Sequence, residues 1–91
     1  MNLSSPAHPA APIRPVYPAA ARAQGVEGDV LLVVVVGADG AVQGAEVEKR
    51  AGFGFDEAVL AAVRAARFEP AQRNGRAVAV RMRLGYSFRL Q

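Results

Sequence analysis

The sequence predicts an α+β domain: two helices packed on one face of a three-stranded antiparallel sheet, in the order α-β-β-α-β, with the last strand at a sheet edge. Three stretches carry that prediction. GDVLLVVVV, at 28–36, is β-branched and apolar on both faces. VAVRMRLGYSFRL, at 78–90, is apolar at every even position, a period of two that marks a long strand with one buried face. FDEAVLAAVRAAR, at 55–67, instead puts Phe55, Val59, Leu60, Val63 and Ala66 on one helical stripe, with Glu57 and Arg64 outside it.

The elements follow in order. Prolines at 6, 9, 12, 15 and 18 recur every third residue, the repeat of a polyproline II rod about 40 Å long. Residues 1–13 therefore read as the end of a solvated Pro/Ala-rich linker, and residues 14–91 as the domain. Pro18 suits the first turn of a helix to Gln24, and Gly25 suits its left-handed cap. The run 28–36 is closed by the turn sequence GADG, and a second strand follows at 41–50, where Gly44 invites a bulge. Asp56 is placed to cap the second helix, which runs to about Arg67 and stops before Pro70. Asn74-Gly75 marks a tight turn before the closing strand. A strand apolar on both faces wants the middle of the sheet, so the strand 28–36 lies between the other two. Its second row, Leu31, Val33 and Val35, is then uncovered by helices and open to a weak homodimer.

Composition narrows the function. With 91 residues and no cysteine, the chain has room for one small domain without disulfides or thiolate metal sites. The longest apolar run, Val30–Val36, is far short of the ~20 residues of a membrane span. No signal-peptide pattern follows Met1, so an export or anchoring segment is expected outside these residues. The net charge of +3 is unevenly spread: residues 1–63 carry four basic against seven acidic residues, and 64–91 carry seven arginines against Glu69. Such a basic third suits an acidic partner or nucleic acid. Tyr86 and Phe88, however, share the apolar face of their strand and are more use as core than for stacking bases.

Catalytic groupings are missing. His8, the lone histidine, lies among the prolines, and Ser87 has no histidine or lysine near it in sequence. Asp56 and Glu57 sit where carboxylates stabilise a helix start. The Gly37–Gly40 turn precedes a strand and not a helix, so it is no phosphate loop. No enzyme, metal or cofactor is expected.

Arg-Pro-Val-Tyr-Pro at 14–18, Ala21-Arg22, Gly25, Gly28-Asp-Val, Asp39-Gly40, Phe55-Asp56, Arg67-Phe-Glu-Pro-Ala at 67–71, Asn74-Gly75 and a closing strand ending in Phe88 resemble, in order and spacing, the TonB C-terminal domain family. That resemblance implies a periplasmic domain of an energy transducer, anchored in the inner membrane by an N-terminal helix and driven by an ExbB–ExbD complex. It implies binding, by β-strand addition, to the TonB box of outer-membrane receptors that import iron–siderophore, haem or cobalamin. Carried over by position, the partner-binding residues are Arg14, Pro15, Val16, Tyr17 and Pro18, with the strand Ala79, Val80, Arg81, Met82, Arg83, Leu84, Gly85, Tyr86 and Ser87. Arg81, Arg83 and Arg89 are expected to discourage self-pairing and attract an acidic box. A TolA-type scaffold domain and a basic nucleic-acid-binding module are the alternatives. The family often has a tryptophan where Ala66 stands.

Overall fold

Gly28–Val36 takes the centre of a three-stranded antiparallel sheet, as a strand apolar on both faces requires. The computed structural model describes residues 5–90. In chain order these form β1 (His8–Pro9), α1 (Ala19–Ala23), β2 (Gly28–Val36), β3 (Val42–Lys49), α2 (Phe55–Ala65), β4 (Phe68–Glu69), β5 (Ala71–Arg73), β6 (Arg76–Val78) and β7 (Val80–Phe88). The sheet order is β3-β2-β7.

The pairing follows the sequence pattern. GADG closes the β2–β3 hairpin, with Gly40 at φ 83°, where a Cβ would lie 2.2 Å from the Phe68 carbonyl oxygen. Both the backbone angle and that close approach exclude a side chain. The register shifts between Val35 and Val36, leaving Gln43 as the extra residue beside Gly44, so the expected bulge is present. A second shift, between Leu31 and Leu32, sets Glu48 out of register. Pairing of β2 with β7 is unbroken from Gly28↔Phe88 to Val36↔Val80.

The core lies between the sheet and the helices. Val30, Leu32, Val34 and Val36 are buried on one face of β2, together with Phe55, Val59 and Val63 of α2, Ala21 of α1, and Phe88 of β7. Asp56 does not cap α2, contrary to expectation. Gly54 is the N-cap, and the buried Asp56 carboxylate accepts the Ala51 N–H at 2.9 Å and the Gly52 N–H at 3.0 Å. From the second position of the helix, that side chain reaches back and ties down the loop.

Two expectations about the chain ends are corrected. The closing strand, expected as one piece from Val78 to Leu90, is divided at Ala79 because its halves have different neighbours. β6 pairs with β5 across the Asn74-Gly75 turn, and β7 pairs with β2. Residues 5–10 are not a solvated extension. Ser5 pairs with Gln72, β1 pairs with β4, and the Ala10 N–H donates to Arg67 O at 2.9 Å. Ala7 is buried in the core cluster. A rod of prolines has no internal hydrogen bonds, so the free groups of Ser5 and Ala10 can serve a neighbouring strand. Residues 10–14 then run beside the end of α2, forming a groove with Ala62, Ala65 and Ala66.

Removing residues 1–10 should cost about 1 kcal/mol, the net worth of the backbone hydrogen bonds between residues 5–10 and 67–72 less the entropy of ordering the segment. Thermal unfolding should then start ~4–8 °C lower. An unchanged melting temperature would show that the docked segment is energetically idle.

The second face of β2 is less bare than expected. Leu31, Val33 and Val35 are half-buried, and above Val33 Arg83 of β7 pairs with Glu48 of β3, Nε to Oε1 at 2.9 Å. Long charged side chains cover apolar surface with their stems.

Candidate partner-binding edge

The backbone of β7 divides into an inner and an outer set. The Gly37 N–H donates to Ala41 O at 2.9 Å across the hairpin, so the odd residues of β2 direct their backbone groups toward β3. Even residues of β2 therefore direct theirs toward β7. With Val30↔Tyr86, Leu32↔Leu84, Val34↔Met82 and Val36↔Val80 in register, the even residues of β7 are bonded inward. The N–H and C=O groups of Arg81, Arg83, Gly85 and Ser87 point to the outer edge. Among the described residues no strand pairs there.

The other sheet edge is less suitable. β3 carries both register irregularities, and bulges twist an edge away from further pairing. β7 carries none.

The structure brings the two halves of the sequence-derived site together. Pro15 and Tyr17 line a groove with Arg22, Tyr86, Ser87, Phe88 and Arg89, beside the end of β7. Burial raises the pKa of the Tyr86 phenol above its ordinary 10.0. Val16 is exposed (78%), and Arg14 is exposed too. Pro18 is the N-cap of α1. Ala79 lies between β6 and β7 and in neither ladder.

Tyr17 is more than a surface contact. Its ring stands edge-on to Phe55 and to Phe88, with centroids 5.5 Å away in both cases, and its hydroxyl donates to Val26 O. The Arg22 guanidinium lies 4.6 Å from the ring centroid. Phe55 itself packs against the start of β2, where a Cβ on Gly28 would meet its ring at 2.9 Å. Sequence reasoning missed this aromatic cluster. The signal for it was an apolar aromatic at three sites otherwise assigned to three separate elements.

The three arginines of the closing strand are not equivalent. Arg83 is held by Glu48, and Arg89 by Asp29 at 2.7 Å. Arg81 is exposed and has no ion-pair partner among the described residues. Hydrogen bonds from Ser87, then Arg89, hold the Asp29 carboxyl below its ordinary 3.8. Its contribution is therefore present above pH 3.8 and is lost as the pH falls through the lowered value. In an NMR titration the Ser87 and Arg89 side-chain signals are expected to move together at that acid transition. If they stay fixed while Asp29 protonates, the clasp does not exist in solution.

The architecture is a small α+β domain: both helices pack on one face of the sheet, and among the described residues one regular edge is unpaired. The family model described as Gram-negative bacterial TonB protein C-terminal matches residues 13–90, and the chain belongs to that family. It is also similar to the solution NMR structure of the Pseudomonas aeruginosa TonB CTD, at 30% identity and a TM-score of 0.79, over 97% of this chain and 90% of that one. A comparison with curated proteins finds no match. The family is one of periplasmic protein-interaction domains.

Proposed function

We propose that this domain engages the TonB box of outer-membrane receptors by adding it as a strand to the outer edge of β7. Its upstream chain would be anchored in the inner membrane and driven by an ExbB–ExbD complex, so that proton-motive energy serves the import of iron–siderophore, haem or cobalamin. One observation carries the reading. Four consecutive odd residues of β7 offer unpaired backbone donors and acceptors beside the Pro15–Tyr17 groove. Main-chain bonds supply affinity in such strand addition, and neighbouring side chains supply selectivity. Arg81, which forms no ion pair among the described residues although Glu46 and Glu48 lie on the same face, is the group available to an acidic box residue. Nucleic acid is a poorer fit, because Arg83 and Arg89 already face carboxylates.

Amide exchange with and without a receptor-box peptide tests this. The amides of Arg81, Arg83, Gly85 and Ser87 should exchange fast in the free domain and slow on binding. Those of Met82, Leu84 and Tyr86 should be slow in both states. Protection appearing on β3 instead would refute the assignment.

A further inference from the structure

Gly85 stands where neither the backbone nor the packing demands glycine. It has no positive φ and lies inside a regular strand. A Cβ there would meet nothing nearer than Leu31 Cδ1 at 3.9 Å and Val30 O at 4.0 Å, both ordinary contacts. Glycine weakens a strand interior, and it often marks a place where another chain comes close. The effect here is a hollow. Leu31 is opposite Gly85 in the register and half-buried. That pair does not exchange hydrogen bonds, so strands β2 and β7 are at their nearest there. The flanking side chains of the same face turn inward: Arg83 to Glu48, and Ser87 Oγ to Asp29 Oδ1 at 2.8 Å.

We infer that Gly85 is a selectivity position, at which the hollow beside Leu31 receives a bulky apolar side chain, preferably aromatic, from the added strand. The inference rests on the proposal that β7 accepts that strand. A residue opposite Gly85 in the new ladder directs its side chain to the same face as Leu31, and an aromatic ring laid over a glycine restores the missing cover. Cross-strand aromatic contacts of this kind change affinity by about two- to five-fold.

The test uses the whole domain and box peptides in which each position in turn carries Phe or Ala, with affinities from NMR titration. In the wild type, one position should favour Phe over Ala by about five-fold. In Gly85→Thr, which fills the hollow with a strand-favouring residue, that preference should fall to near one, while the melting temperature holds or rises. Gly85→Ser, a smaller filling, should give an intermediate ratio. Peptides that all bind the wild type with no preference for Phe at any position would overturn the inference and leave strand addition standing. A preference that persists in Gly85→Thr would also overturn it. Binding of no peptide at all would remove both.

Discussion

Met82→Pro is expected to unfold the domain, whereas Arg81→Pro, one residue earlier, is expected to leave it folded and unable to bind a box peptide. The asymmetry follows from the backbone parity of β7. The Met82 N–H is bonded inward to β2, opposite Val34. Proline there removes that ladder bond, and its ring clashes with the central strand, at a cost of ~3 kcal/mol or more. A domain of this size holds only about 5–14 kcal/mol in total. The Arg81 N–H points away from the sheet, the side on which edge strands tolerate proline. Circular dichroism and a denaturant titration of both variants, followed by peptide binding, decide the matter. Two equally stable variants would refute the parity, and a folded Arg81→Pro that binds normally would refute the edge. Arg81→Glu should weaken binding by less than Arg81→Pro, with an effect that shrinks in high salt, because an exposed charge is screened and a missing hydrogen bond is not.

Tyr17→Ala is expected to cost about 3 kcal/mol of stability. The ring is half-buried, so the loss falls toward the low end for an aromatic truncated to alanine. It includes the edge-on contacts to Phe55 and Phe88, the hydrogen bond to Val26 O, and the cover the ring gives Arg22. Tyr17→Phe keeps the ring and loses only the hydroxyl bond, at about 1 kcal/mol. Chemical denaturation of the pair separates packing from polarity. If alanine costs no more than phenylalanine, the ring is not part of the core and Tyr17 belongs to the surface alone. With the expected result, loss of partner binding in Tyr17→Ala reports the fold as much as the site, and the contact itself is read from Val16 and Pro15.

The turn signals at 37–40 and 74–75, the bulge beside Gly44, and the change of period between 28–36 and 55–67 identified the elements and their order. They did so because each rests on local chemistry: glycine angles, β-branching, and an apolar residue every second or every third to fourth place. Burial of the even residues of the closing strand was legible for the same reason. The likeness to the TonB family rested on short motifs in sequence order, and the fold bears it out.

Other features depended on neighbours that no local pattern names. A period of two says which face a side chain takes, but not which edge its N–H faces, since that depends on the strand lying alongside. Only the Gly37–Ala41 bond and the β2–β7 register assign Arg81 to the outside and Met82 to the inside. The arginines looked alike in sequence, and they differ because Glu48 and Asp29 happen to stand across the sheet from two of them. The proline segment looked like solvated linker because its cover, at Arg67–Gln72, lies some 60 residues away along the chain. The sequence by itself determined the elements and the buried face of each, through local preference and periodicity. Tertiary structure alone decided which backbone groups and which charges remain free for a partner, because a group is free only when everything folded around it leaves it so.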